Sequence, residues 1–179
     1  MRGSLNHVFA GLDRVAGPLP LAVILDWLDA CGLTLHDLAE FQSFRPDRYV
    51  RNLVYTGPSY QVLLLCWRNG QRSPIHNHRG SACGVKVLRG TATETVFTRA
   101  ANGMVVADHS RQLPPGDICA SEDADIHQVS NLQAANADLV TLHLYSPPLL
   151  RMEMFSLENP TVHEWDDPIH NRFVLGGGI

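Results

Sequence analysis

Several things that would mark a membrane, secreted or nucleic-acid-binding protein are missing from this chain. No apolar run reaches the roughly 20 residues that a membrane helix needs. The opening stretch MRGSLNHVFAGLDRV has no uninterrupted apolar core of the signal-peptide kind. The four cysteines, Cys31, Cys66, Cys83 and Cys119, form no CxxC pair, which argues against a zinc knuckle and against a small disulfide scaffold. There is no basic run, and the net charge is −4, so nucleic acid is not an expected partner. These absences lead us to expect a protein of the reducing cytoplasm, away from membranes; we expect it to be a monomer.

What is present suits one self-sufficient domain. The chain has 179 residues, 45% of them hydrophobic and 18% charged, enough to bury a core without a disulfide or a metal. Its character changes near Pro46. Before that point PLPLAVILDWLDACG carries apolar residues at helical spacing, with Gly32 placed as a stop. Thr34 is positioned to cap a second short helix, LHDLAEFQSF, that ends before Arg45-Pro46.

After Pro46 come short runs divided by Gly, Pro and Asn: VRNLVY, YQVLLLCW, ACGVKVL, TETVFTR, GMVVADHS, DICAS, HQVSN and DLVTLHLY. Many short strands with regular turn signals predict an all-β sandwich or barrel, and the lack of crossover helices disfavours a parallel sheet. We therefore expect helical residues over about 18–45, a barrel over about 46–148, and an irregular region over 149–179 ending in a glycine-rich, mobile tail.

The chemistry centres on SPIHNH at residues 73–78. On a strand, His76 and His78 would share a face and could reach one ion. An isolated HxH pair is more often a surface or hydrogen-bonded feature than a metal site. Here Gly70 precedes it and Gly90 closes the following strand pair, a pattern similar to the first cupin motif. Cupins generally place a glutamate ligand after the HxH; that slot holds Cys83. His127, followed by Asn131, resembles the second cupin motif, although Glu122 and Ala124 stand where its proline and second glycine would fall. Three imidazoles without a carboxylate leave open coordination positions, and they suit zinc as well as iron.

Four stretches, RYVRNLV, LLLCWRNGQRSPIHNH, CGVKVLRGTATETVF and LHLYSPP, resemble the cysteine dioxygenases in order and spacing across roughly Tyr49 to Pro148. The resemblance implies a cupin-type (jelly-roll) β-barrel with a short helical N-terminal segment. It implies Fe(II) held by His76, His78 and His127, with L-cysteine chelating through thiolate and amine and O2 as co-substrate. The product would be cysteine sulfinic acid.

Further roles follow from the same resemblance. Arg51 would pair with the substrate carboxylate, Tyr49 would add a hydroxyl, and Leu65 and Val129 would line the pocket. Thr141, His143 and Tyr145 alternate along one strand; Tyr145 would stand beside the reacting thiol, oriented by His143, although a buried amphipathic strand explains the alternation equally well. Cys83 falls where some members form a thioether to the tyrosine matching Tyr145. A shift of one residue would put Gly84 there instead, and a plain buried thiol is the alternative to a crosslink. Ser146-Pro147 is a candidate cis peptide.

Cys31, Cys66 and Cys119 are expected in the core. His7, His36, His109, His163 and His170 have no partner pattern, and Tyr60, Trp67 and Trp165 read as packing residues. Two alternatives stand beside the cysteine reading: a dioxygenase for another small thiol acid such as 3-mercaptopropionate, and a non-catalytic metal-binding cupin.

Overall fold

The computed structural model describes residues 5–122, 125–134, 136–166 and 169, and the backbone of 171–172. The glycine-rich tail, His170 and Ala124 lie outside the described residues.

Helix α1 is a single turn, Asn6–Phe9, and α2 spans Leu21–Ala30. The apolar spacing of α2 buries Ile24 and Leu28 completely, each contributing roughly 1.5–3 kcal/mol of hydrophobic stabilisation. Gly32 follows the helix at φ +61°, a left-handed stop. The second expected helix is reduced to turns and one 3₁₀ turn, Ala39–Phe41. Thr34 still closes a cap with Asp37, whose carboxylate accepts from the Thr34 N–H at 2.9 Å. Leu38 and Phe41 are the buried anchors of this segment.

Beyond Pro46 the chain forms β1 (Val50–Thr56), β2 (Gln61–Trp67), β3 (Ile75–His76), β4 (Ala82–Arg89), β5 (Ala92–Arg99) and β6 (Val105–Leu113). These are followed by β7 (Ile118–Ser121), β8 (Ile126–Ser130), β9 (Leu139–Ser146), β10 (Arg151–Phe155), β11 (His163–Asp166) and β12 (Asn171–Arg172). One sheet has the order β12-β1-β2-β9-β4-β7 and the other β11-β10-β3-β8-β5-β6. The fold is mainly β and of cupin type. Among the described residues no ladder joins the two sheets, so the expected barrel is an open two-sheet sandwich.

The region after 149, expected to be irregular, supplies three of these strands. Its pattern is too short and polar to announce them; they form because β3 offers an edge to β10 and β1 offers one to β12. The Ser146–Pro147 peptide is cis.

The first sheet is buried on both faces, and that sets the position of the site. Along β2, Leu63, Leu65 and Trp67 face the second sheet, while Val62, Leu64 and Cys66 lie under the N-terminal helices. On β4 a Cβ added at Gly84 would lie 2.5 Å from Ile24 Cγ2, so glycine permits α2 to pack directly on the strand. Gly84 thus belongs to the helix side and Cys83 to the inner side, which resolves the register of CGVKVLRG.

Candidate metal centre and substrate cavity

Two neighbouring strands and one loop bring the three predicted histidines together. His76 on β3 lies opposite His127 on β8, and His78 follows in the loop after β3 rather than on the strand itself. All three are buried, and their candidate ligand nitrogens lie within 4.8 Å of one another.

Each ring is held by its other nitrogen. His76 Nδ1–H donates to the Pro74 carbonyl at 3.0 Å, and His127 Nδ1–H donates to the Glu94 carboxylate at 2.9 Å. His78 Nδ1 meets the Ser121 hydroxyl at 2.9 Å. A histidine anchored at Nδ1 turns Nε2 toward a common point, the usual arrangement around a bound metal. Nε2 of His127 is buried and has no hydrogen-bond partner, an orphan that a cation would satisfy. Burial, with help from His127, pulls His76 down to about 3 and His78 well below the usual histidine value, so both rings are neutral, as ligation requires. The donor set therefore fits a divalent metal.

Glu94 was not singled out from the sequence. It sits on β5 on the same inward parity as Ala92, and a charged residue at that parity is the signal that could have found it. Burial pushes its carboxyl up, but His127 and Arg111 more than reverse this and hold it below the usual value. Arg111 Nη2 lies 2.6 Å from the carboxylate.

The opposite wall of the cavity comes from the first sheet. Arg51, Leu65, Thr141 and Val87 form one cross-strand row, and Gln61, Tyr145 and Cys83 form another. Arg51 is 2% exposed, with its guanidinium 5.5 Å from the Tyr145 ring centre. Tyr49, Leu65 and Val129 line the same cavity, and Tyr49 stacks on Trp67 at 4.2 Å between ring centres. Cys83 and Tyr145 are direct cross-strand partners, and the thiol is in hydrogen-bond contact with the tyrosine. Burial raises the Cys83 thiol well above its ordinary value. No Asp or Glu lines this cavity among the described residues.

Thr141, His143 and Tyr145 do face inward, as their alternation predicts. Thr141 Oγ1 is 2.8 Å from His143 Nε2, and His143 Nδ1 is 3.0 Å from the Tyr145 hydroxyl. Trp67 is buried and does more than pack: its indole N–H donates to Thr141 Oγ1 at 3.0 Å. Trp165, expected in packing, is 48% exposed on β11. Cys66 and Cys119 are buried as expected, and Cys31 is partly so.

A family model described as "Cysteine dioxygenase type I" matches residues 22–158. The chain belongs to the cysteine dioxygenase family. It is 32% identical to the human protein named cysteine dioxygenase type 1 over 143 residues, covering 76% of this chain and 70% of that one. The rat protein of the same name is 31% identical over 177 residues, covering 96% of this chain and 84% of that one. Among solved structures, the TT1209 protein of Thermus thermophilus shares the fold at a TM-score of 0.53 and 20% identity, over 63% of this chain and 95% of that one. Among the described residues, no helix is long and apolar enough to cross a membrane.

Proposed function

We propose that this chain is an Fe(II)-dependent cysteine dioxygenase, a cytoplasmic monomer that adds both atoms of O2 to the thiol of L-cysteine. The observation that carries this reading is the pairing of a buried guanidinium, Arg51, with three imidazoles across a cavity that no Asp or Glu among the described residues lines. A cationic fork at one end and a neutral ligand set at the other suit a small molecule bearing both a carboxylate and a thiol.

Iron bound by His76, His78 and His127 would stabilise the thiolate and supply the one-electron chemistry that dioxygen requires. The protein's own groups do the rest. Arg51 binds the substrate carboxylate through two parallel hydrogen bonds, and the Tyr49 hydroxyl adds a third. Leu65 and Val129 confine the carbon chain and keep water out, so the sulfur is held in one orientation toward the reacting oxygen. Tyr145 stands beside that sulfur and offers a hydroxyl to charge that develops there. The balance is one thiol plus one O2 giving one sulfinic acid: sulfur is oxidised, dioxygen is reduced, and the thiol proton ends on the product.

We expect Cys83 and Tyr145 to form a thioether between Sγ and the ring carbon beside the hydroxyl. One S–H and one C–H bond break, and dioxygen takes the two electrons and two protons. The direct cross-strand pairing supports this reading.

The decisive experiment loads the purified protein with Fe(II) without oxygen, then adds L-cysteine or 3-mercaptopropionate with limiting O2. We expect one O2 consumed per cysteine sulfinic acid formed, with cysteine the better substrate. Consumption of no oxygen with any thiol would reduce the protein to a metal-binding cupin. Preference for 3-mercaptopropionate, which keeps the carboxylate but lacks the amine, would overturn the choice of L-cysteine as substrate.

A further inference from the structure

We infer that Trp67 sets the direction of the hydrogen-bond chain Trp67–Thr141–His143–Tyr145, so that Tyr145 presents its hydroxyl proton to the metal-facing side of the cavity. The inference rests on the thiol dioxygenase reading only for its use; its physical basis is separate.

An indole N–H can only donate, so Thr141 Oγ1 must accept from Trp67. Thr141 is completely buried, and its hydroxyl has two side-chain partners, Trp67 and His143. If His143 also donated to it, the threonine hydrogen would be buried without an acceptor, an arrangement that proteins avoid. Thr141 therefore donates to His143 Nε2. Burial and the nearby Arg51 hold His143 well below its ordinary pKa, so the ring is neutral and carries one hydrogen. That hydrogen must then sit on Nδ1, which donates to the Tyr145 oxygen. The tyrosine's own proton is left to point away from His143, toward the side where Cys83 and the His78 ring lie.

Trp67 thus acts as a positioning residue at the far end of a chain, reaching Tyr145 through Thr141 and His143. Its stacking on Tyr49 joins the two arms of the site, since the same indole that orients Tyr145 braces a residue beside Arg51. Without the indole N–H, Thr141 could accept from His143 instead. The ring could then take its other tautomer, and Tyr145 would turn its proton inward to Nδ1.

The tautomer is directly observable by nitrogen-15 NMR of histidine-labelled protein in the zinc-loaded, diamagnetic form, with His143 assigned from a His143→Asn variant. In the native protein Nδ1 should carry the proton, exceeding Nε2 by about tenfold or more, tenfold corresponding to about 1.4 kcal/mol. Trp67→Phe keeps an aromatic ring for Tyr49 and should bring the two forms toward parity. Thr141→Ser keeps the hydroxyl and should preserve the native tautomer. A proton on Nε2 in the native protein overturns the inference, whether or not either variant folds. An unchanged tautomer in folded Trp67→Phe overturns the role of Trp67. Because no turnover is needed, a protein that oxidises no thiol yet carries the proton on Nδ1 upholds this inference while overturning the functional reading.

Discussion

Glu94 accepts the Nδ1 hydrogen of His127 at 2.9 Å, while His76 and His78 are held only by a neutral carbonyl and a hydroxyl. The three candidate ligands are therefore unequal. His127 alone is backed by an anion, and that anion is partly balanced by Arg111. The negative charge that a cupin glutamate would bring into direct contact with the metal stands one residue further out. Glu94→Gln keeps a hydrogen-bonding group but removes the charge, and should weaken metal binding by about 10- to 100-fold. Competition with a chelator of known affinity measures this. Unaltered affinity would make Glu94 a fold residue only.

Arg51→Ala should lower kcat/KM for cysteine by roughly 100-fold or more, mostly through KM, since two charge-assisted hydrogen bonds to the carboxylate are lost. Cysteamine, which lacks the carboxylate, should lose far less. Equal losses for both thiols would point to a structural role for this buried arginine.

The Cys83–Tyr145 thioether makes its own forecast in intact-mass spectra. After aerobic turnover with iron, the native protein should lose the mass of a hydrogen pair, and Cys83→Ser should not. An identical loss in the serine variant would leave Cys83 an ordinary buried thiol.

Acid should destabilise the metal-free protein through its neutral histidines. His76 is depressed to about 3 from 6.5, and His78 and His143 are also well below 6.5, in each case chiefly by burial. Unfolded, these rings take up protons near 6.5; folded, they refuse them. Their contribution to stability is thus fully present above about 6.5 and is lost as pH falls toward 3. Urea midpoints taken from neutral pH down to about 5 should decline steadily. A flat profile over that range would mean the rings protonate in place.

Gly84→Ala should cost about 1–3 kcal/mol, because the new methyl would meet Ile24 Cγ2 at 2.5 Å and Leu28 Cδ1 at 2.6 Å. Thermal unfolding would register it as a lower Tm. A pairing with Leu28→Ala that recovers part of the loss would tie the effect to the α2 contact.

Thr141, His143 and Tyr145 were legible because alternation along an extended chain is local and needs no knowledge of the fold, and the same holds for α2 with its buried pair and for the strand runs. His76 and His78 were legible as an HxH pair within family-like motifs; strand alternation does not place His78, which lies in the loop after β3. The sequence by itself thus determined which residues face inward and, through family-like motifs, which of them belong to one site. It did not determine their partners. Glu94 and His127 are 33 positions apart, Ser121 and His78 are 43 apart, and Trp67 and Thr141 are 74 apart. The strands after Leu149 were missed for the same reason: their ladders depend on edges left open by β3 and β1. Such contacts arise from the register of strands that meet only after collapse, and one residue of slip would turn every one of these side chains to the other face. The tertiary structure alone decided that the charge behind the histidines comes from Glu94, and it turns Cys83, the residue favoured over Gly84 by the uninterrupted match, toward the cavity.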